Sequence, residues 1–163
     1  MDMSRREMIG AAAAGMAGAA LLWSGGRAQA APGRFEVAYS DAEWRRRLGP
    51  QRYAVLRQAA TERAGSSPLD REKRAGTFTC AGCALPLYSS RAKYDSGTGW
   101  PSFIRPLADA VRTRADNSLF ARRIEVVCLR CGGHLGHVFD DGPPPTGKRW
   151  CMNGLAMKFV PGR

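Results

Sequence analysis

Two Cys-x-x-Cys units constrain this chain more than any other feature of its sequence. They are Cys80-Ala81-Gly82-Cys83 and Cys128-Leu129-Arg130-Cys131, and residues 84–127 lie between them. Each unit turns tightly enough for both sulfurs to reach one ion, and together they offer the tetrahedral four-sulfur set that Zn²⁺ prefers. Because the interval is longer than that of a small zinc ribbon, we expect one structural zinc ion to clip together distant parts of one domain. Two disulfides, or a redox-active pair of CxxC units, are the alternatives.

Residues 1–30 have the composition of an export signal. Arg5 and Arg6 stand near the start, residues 8–26 are uncharged and rich in Ala and Gly, and Ala28-Gln29-Ala30 has the form of a cleavage site. Paired arginines indicate the twin-arginine route, so we expect cleavage after Ala30 and a periplasmic protein. Retention of residues 8–26 as a membrane anchor is the alternative. Export also strengthens the disulfide alternative, because exported proteins form disulfides.

The remaining chain has the length and composition of one soluble domain. We assign residues 31–39 to a linker and residues 40–163 to the domain. Lys and Arg outnumber Asp and Glu by 25 to 14, and the net charge is +11, or +10 without residues 1–30. A zinc-containing nucleic-acid-binding module is therefore an alternative. The basic residues are spread along the chain and the export signal argues against that module, so we expect no nucleic-acid partner.

The pattern of the domain predicts a mainly β (α+β) fold, with two antiparallel sheets preceded by two short helices. Ser40-Asp41-Ala42-Glu43 has the form of a capping box, which predicts a first helix over residues 44–48 that ends at Gly49-Pro50. Pro50 suits the first position of a second helix. After a polar loop over residues 65–76, short apolar runs separated by Gly, Pro and Asp predict strands. The predicted strands are residues 77–79, 111–114, 124–128, 135–139 and 150–160.

The fifth cysteine, Cys151, has neighbours that suit a reactive thiol. Side chains alternate along a strand, so Arg149, Cys151 and Asn153 share one face. An adjacent guanidinium lowers the pKa of a thiol, and we therefore expect thiolate near neutral pH. The Asn153 amide is suited to donate a hydrogen bond to a developing oxyanion. The only two histidines, His134 and His137, are free to act as acid or base if zinc is held by cysteines alone. An inert buried cysteine is the alternative.

Several motifs together resemble the type B methionine sulfoxide reductases. They are Gly99-Trp100-Pro101-Ser102-Phe103, the two CxxC units, His134-Leu135-Gly136-His137-Val138-Phe139, Asp141-Gly142-Pro143 and Arg149-Trp150-Cys151-Met152-Asn153. Residues 53–57 and 61–63 also match the N-terminal region of that family. The resemblance covers roughly residues 40–161, and several independent motifs in the right order make it specific.

The resemblance implies two antiparallel sheets with the zinc far from the catalytic cysteine. It implies reduction of the R epimer of methionine sulfoxide, free or in proteins. In such a reaction a thiolate attacks the sulfoxide sulfur and an acid protonates the departing oxygen. The implied catalytic residues are Cys151 as nucleophile, His137 as the acid, and His134 and Asn153. The implied substrate-binding residues are Trp100, which walls the pocket for the substrate methyl group, and Phe103, Asp141 and Arg149. The implied zinc ligands are Cys80, Cys83, Cys128 and Cys131.

The sequence departs from the family pattern in a way that bears on recycling. Thr98 stands where many members carry a second, resolving cysteine, whereas Gly154 and Ala156 merely replace frequent serines. Once Cys151 is a sulfenic acid, no internal thiol is free to attack it, because the other four cysteines hold the zinc. We therefore expect an external thiol or a thioredoxin-like protein as reductant, and a monomeric enzyme. An exported thiol–disulfide enzyme without metal is the rival interpretation.

Overall fold

The computed structural model describes residues 35–117 and 122–162. In these ranges the chain forms a helix, α1 (Asp41–Gln58), and three short 3₁₀ helices at Pro68–Arg71, Ser90–Ala92 and Gly154–Ala156. The strands are β1 (Gly76–Cys80), β2 (Pro86–Ser89), β3 (Lys93–Tyr94), β4 (Ser102–Phe103), β5 (Val111–Asp116), β6 (Arg123–Cys128), β7 (His134–Phe139), β8 (Arg149–Met152) and β9 (Met157–Pro161). The predicted export signal and residues 31–34 of the predicted linker lie outside the described ranges. None of the described helices is long and apolar enough to cross a membrane.

The helix α1 corrects the prediction of two separate helices. Its start agrees with the predicted cap, since the Ser40 hydroxyl accepts a hydrogen bond from the Glu43 amide at 3.3 Å. Gly49 takes a left-handed φ of 69°, which kinks the helix there. The helix then resumes at Pro50, whose fixed φ suits a first helical turn. The predicted break at Gly49-Pro50 is therefore present as a kink at a non-helical residue, within one continuous element.

The strands form two antiparallel sheets, which confirms the predicted mainly β architecture. The smaller sheet has the order β2-β1-β9, and the larger has the order β3-β4-β8-β7-β6-β5. The predicted strand over residues 150–160 is wrong as a single element. It is divided into β8 in the large sheet and β9 in the small sheet, joined by the Gly154–Ala156 3₁₀ helix. The chain thus crosses between sheets directly after Asn153.

Aromatic side chains fill the space between the two sheets. The rings of Tyr88 and Phe103 stack with centroids 4.3 Å apart, and Phe78 meets Phe103 edge-on at 5.0 Å. The Tyr88 hydroxyl donates a hydrogen bond to the Met152 sulfur at 3.1 Å. Because side chains alternate along β8, the inward direction of Met152 turns Cys151 to the opposite face of the large sheet. Packing of the core therefore decides which face carries the thiol.

Candidate active site

Cys151 lies in β8 between two strands that contribute polar side chains. In the sheet register it pairs with Ser102 of β4 on one side and with His137 of β7 on the other. Directly paired residues of antiparallel strands carry their side chains on the same face. The thiol therefore has a buried hydroxyl on one flank and an imidazole on the other.

A small pocket of about 140 Å³ opens at the thiol. Its lining is Thr61, Trp100, Arg123, Gly136, His137, Phe139, Cys151, Met152 and Asn153. The indole N–H of Trp100 donates a hydrogen bond to the Glu62 carbonyl at 3.1 Å, which fixes the orientation of the ring. An apolar ring, a thiol and an imidazole therefore converge on one cavity. Such a pocket has room for a single small side chain.

Both histidines are held by carboxylates from the β5–β6 hairpin. His137 Nε2 donates to Asp116 at 2.8 Å, and Arg123 donates to the same carboxylate at 2.7 Å. His134 Nδ1 donates to Glu125 at 2.7 Å, and the guanidinium of Arg114 binds Glu125 from the other side. Carboxylates only accept hydrogen bonds, so each pairing fixes which ring nitrogen carries a proton.

The two histidines nevertheless occupy different places. His137 lines the pocket, whereas His134 is 3% exposed and is not part of the lining. Burial lowers the pKa of His134, against the opposing effect of Glu125. Their ring centroids are 5.4 Å apart. The structure therefore gives His137 access to a bound molecule and puts His134 behind it.

A bulge in β7 explains how residues three apart reach the same face. Val126 pairs with Gly136 and Val127 pairs with His134, so Leu135 is an extra residue on this strand. An extra residue shifts the side-chain alternation by one position. His134 and His137 consequently point to the same side of the sheet. Period-two alternation alone would have separated them.

The carboxylates and arginines of β5 and β6 were not predicted from the sequence. Arg114 and Asp116 are two positions apart in β5, and Arg123 and Glu125 are two positions apart in β6. Charged residues spaced by two in adjacent strands share one face. The period-two spacing of these charged residues was the feature of the sequence that indicated a shared polar face.

The environment of Cys151 corrects the expectation of a thiolate near neutral pH. Burial raises the pKa of the Cys151 thiol, and this effect outweighs the opposing effects of Arg149, Thr98 and Ser102. The hydroxyls of Thr98 and Ser102 favour the charged form of the thiol. Ser96 joins them, with its oxygen 2.8 Å from Thr98 Oγ1 and 2.7 Å from Ser102 Oγ. The Arg149 guanidinium lowers the pKa of the thiol, as expected, but its effect is smaller than that of burial.

The other predicted site residues have structural partners. Arg149 donates two hydrogen bonds to Asp141, at 2.9 and 2.8 Å, and its guanidinium lies 4.4 Å from the Phe139 ring centroid. Neither Arg149 nor Asp141 lines the pocket. Phe103 is fully buried in the aromatic core, so its assignment to substrate binding is corrected. In β4 the Ser102 side chain lies on the face of the sheet that carries Cys151, and the Phe103 side chain therefore lies on the opposite face, in the core.

Asn153 connects three segments around the pocket. Its side-chain oxygen accepts a hydrogen bond from the Glu62 amide at 3.0 Å, and its side-chain nitrogen donates to the Leu135 carbonyl at 3.2 Å. The Glu62 carboxylate in turn accepts hydrogen bonds from the backbone amides of Gly154 and Leu155. Since the Glu62 carbonyl also holds Trp100, Glu62 links the pocket wall to the end of β8. Glu62 is a further residue of the site that was not predicted from the sequence.

The four remaining cysteines form a compact cluster that could hold a metal ion. The sulfurs of Cys80, Cys83, Cys128 and Cys131 all lie within 4.8 Å of one another. The Cys80–Cys131 and Cys83–Cys128 sulfur separations are 3.7 and 3.5 Å. Tetrahedral Zn²⁺ with Zn–S bonds near 2.3 Å would place its sulfurs about 3.8 Å apart, whereas a disulfide requires about 2.0 Å. The spacing therefore fits a four-thiolate metal site better than two disulfides.

Comparisons with known proteins agree with this arrangement. Residues 48–161 match the family model described as the SelR domain. The chain is 53% identical over 124 residues to a peptide methionine sulfoxide reductase MsrB of Methanosarcina barkeri, covering 76% of this chain and 87% of that protein. It is 51% identical over 127 residues to MsrB of Bradyrhizobium diazoefficiens, covering 77% and 91%.

A third relative extends the agreement to another bacterial group. MsrB of Leptospira interrogans is 48% identical over 126 residues, covering 77% of this chain and 96% of that protein. The family match over residues 48–161 includes both sheets, the cysteine cluster and the pocket. These matches confirm the resemblance found in the motifs, and the chain belongs to the SelR-domain family of type B methionine sulfoxide reductases.

Proposed function

We propose that this protein reduces the R epimer of methionine sulfoxide to methionine, free or within proteins. The observation that carries the proposal is the pocket in which Cys151, His137 and Trp100 converge. The pocket is small, has one apolar wall, and presents a nucleophile beside a group that transfers protons. A methionine sulfoxide side chain needs these three features, because it has a methyl group, an electrophilic sulfur and a basic oxygen.

In the proposed step the Cys151 sulfur attacks the sulfoxide sulfur while the sulfoxide oxygen takes up a proton. The substrate S–O bond breaks as the oxygen becomes bonded to the Cys151 sulfur, and the S–S bond formed by the attack breaks to release the thioether. A thiol and a sulfoxide thus become a sulfenic acid and a thioether. Two electrons pass from the Cys151 sulfur to the substrate sulfur. Although burial raises the pKa of Cys151, the thiolate fraction retains high intrinsic nucleophilicity, because nucleophilicity rises with thiol pKa.

His137 is the acid in this proposal. Asp116 occupies Nε2, which leaves Nδ1 as the nitrogen that exchanges a proton with the substrate oxygen. General acid catalysis of this kind contributes about 10²–10⁴-fold. His134, Asp141, Arg149 and Asn153 then act as positioning residues for the pocket.

Recycling in this proposal depends on an external thiol. The chain has five cysteines, four of them in the metal cluster, and the hydroxyl of Thr98 beside Cys151 cannot form a disulfide. An external thiol attacks the sulfenic acid, releases water and leaves a mixed disulfide on Cys151. A second thiol then restores Cys151 and releases the external disulfide. A thioredoxin-like protein supplies both thiols from one molecule.

The metal cluster has a structural role in this proposal. Cys80, Cys83, Cys128 and Cys131 hold one Zn²⁺, which crosslinks the end of β1 in the small sheet to the end of β6 in the large sheet.

We further propose a monomer exported through the twin-arginine route to the periplasm, with its mature chain beginning at Ala31. N-terminal sequencing of the periplasmic protein tests the export proposal, and replacing Arg5 and Arg6 by lysine should retain the protein in the cytoplasm.

Resolved sulfoxide epimers test the proposed reaction. With dithiothreitol present, the mature protein should convert the R epimer of blocked methionine sulfoxide and leave the S epimer unchanged. Cys151→Ser should abolish turnover without loss of the metal, and His137→Ala should slow it by orders of magnitude. Equal rates on both epimers, or an active Cys151→Ser variant, would refute the assignment.

A further inference from the structure

A larger groove adjoins the small pocket and shares one residue with it. The groove has a volume of about 870 Å³ and runs between α1, the loop that follows it and β9. Thr61 lines both the pocket and the groove, and its side chain is exposed at their common edge. A molecule seated in the pocket therefore has a continuous path into the groove. The reaction at Cys151 makes no use of this second cavity.

The unpaired charges along the groove are positive. Arg52, Arg63 and Lys158 line it and make no ion pair among the described residues. The acidic residues of the lining are already engaged. Glu72 pairs with Arg74, and the Glu62 carboxylate is buried against the Gly154 and Leu155 amides. The uncompensated charge of the groove is therefore positive, and we name it the basic groove for Arg52, Arg63 and Lys158.

The floor of the basic groove is apolar. Val55 and Met157 are almost fully buried beneath it, and Leu155 and Phe159 are partly exposed along it. An apolar floor with cationic walls suits a chain that carries both apolar and anionic side chains. A single amino acid in the small pocket would leave this surface uncovered. An extended polypeptide advances about 3.3 Å per residue and so reaches beyond Thr61 within a few residues.

We propose that the basic groove binds the polypeptide that flanks an oxidised methionine and favours acidic residues there. This proposal rests on the proposed function and names its substrate class: methionine sulfoxide within acidic segments of proteins. The sulfoxide side chain enters the small pocket while one flank of the polypeptide lies along the groove. Aspartate or glutamate in that flank pairs with Arg52, Arg63 and Lys158. The groove acts on binding and takes no part in the chemical step.

Synthetic peptides with a single methionine R-sulfoxide test this proposal. One peptide carries a run of glutamates before the sulfoxide, a second carries the run after it, and two matched peptides carry glutamines. A short blocked methionine R-sulfoxide serves as the probe that cannot reach the groove. We expect kcat/KM for one glutamate peptide to exceed that of its glutamine match about fivefold or more, mostly through KM. In 1 M salt the preference should fall towards one, because exposed charges are then screened within about 3 Å.

Charge variants test whether the basic groove causes the preference for glutamate peptides. Replacing Arg52, Arg63 and Lys158 together by glutamine should remove the preference for the glutamate peptide and leave kcat/KM for the short substrate unchanged. Arg105→Gln is the matched control, because Arg105 is exposed but lies outside the lining of both cavities, and it should keep the preference.

Three results would overturn the proposal. They are equal kcat/KM for all peptides, a preference that survives the triple variant, and inhibition that comes from an oligonucleotide but not from an acidic peptide. Failure of the proposed function looks different, because the short substrate would then not be reduced at all.

Discussion

At the scale of single residues, the site is a balance between burial and hydrogen bonds. The packing that encloses Cys151 raises the pKa of its thiol, while Arg149 and the hydroxyls of Thr98 and Ser102 favour the thiolate. The protein therefore has a nucleophile that is less ionised than an exposed cysteine but is held in a defined geometry.

The pKa shift of Cys151 predicts the pH dependence of its alkylation. Because the folded pKa lies above that of an ordinary thiol, the rate of iodoacetamide alkylation at Cys151 should still be rising with pH where an exposed cysteine has reached its plateau. Thr98→Val should move the midpoint to higher pH, since it removes a hydrogen bond to the thiolate. Thr113→Val, on the exposed face of β5, is the control and should not move it. A midpoint below that of free cysteine would contradict the account.

A thiol introduced beside Cys151 should change the recycling step. The Thr98 hydroxyl lowers the pKa of the Cys151 thiol and so lies close to it, and Thr98→Cys therefore places a second sulfur near the sulfenic acid. After turnover, non-reducing mass mapping should find a disulfide between the introduced thiol and Cys151, and dithiol reductants should recycle the variant faster than the parent protein. Ser96→Cys is a useful comparison, because Ser96 contacts Thr98 and Ser102 rather than the thiol. Absence of the disulfide in the Thr98→Cys variant would show that the two positions do not meet during catalysis.

At the scale of elements, the bulged strand β7 sets the geometry of the site. It carries both histidines, and its Gly136 lies against the backbone of β8. A Cβ atom on Gly136 would lie 2.1 Å from the Cys151 carbonyl oxygen and 2.9 Å from the Met152 Cα. These are backbone atoms of a central strand, which cannot move without shifting the thiol. Glycine is therefore required at this position for the two strands to approach.

Gly136→Ala should thus damage both stability and activity. We expect the free energy of unfolding to fall by about 1–3 kcal/mol, as is usual when atoms are forced into a packed interior, and turnover to fall because β8 moves. Chemical denaturation and steady-state kinetics measure the two effects. Gly162→Ala is the control, since its Cβ would find no heavy atom nearer than 3.4 Å. A Gly136→Ala protein of normal stability and rate would contradict this role of β7.

The sequence predicted those elements whose signals are local. The Ser40 cap, the CxxC turns and the strands with several apolar residues are each specified within a few positions. The two-residue strands β3 and β4 have no period to detect and were not predicted, although β4 lies within a motif of the family resemblance. Phe103 was misplaced for the same reason: a motif says which residues occur together but not which side chain of a neighbouring pair points inward. The spacing of the charged residues in β5 and β6 is visible in the sequence, but their pairing with His134 and His137 depends on strand register and on the bulge at Leu135, which that spacing does not encode.

At the scale of the whole molecule, the cysteine cluster joins the two sheets. Cys80 ends β1 of the small sheet and Cys128 ends β6 of the large sheet, while Cys83 and Cys131 lie in the turns that follow. The aromatic core joins the same sheets at another place. A metal ion in the cluster would therefore stabilise the relative position of the sheets without entering the pocket, which none of these four cysteines lines.

Removing one cysteine of the cluster should lower the stability of the fold, whereas removing Cys151 should affect only the reaction. Cys83→Ser should lose the metal and unfold at a much lower temperature, because the binding energy of a structural zinc ion contributes to folding. Cys151→Ser should keep about one zinc ion per chain and an unchanged melting temperature. Metal analysis and thermal unfolding measure both variants. Full stability in a metal-free protein whose four cysteines form disulfides would contradict the structural role of zinc.

The most direct test of the central claim, that Cys151 acts as a lone thiol, is a single-turnover measurement without reductant. The protein is mixed with an excess of blocked methionine R-sulfoxide, and the methionine product is counted per chain. We predict about one product per chain, a sulfenic-acid trap attached to Cys151, and no internal disulfide by mass mapping. Release of several products per chain without added thiol, or a disulfide between Cys151 and any cysteine of the metal cluster, would contradict the account.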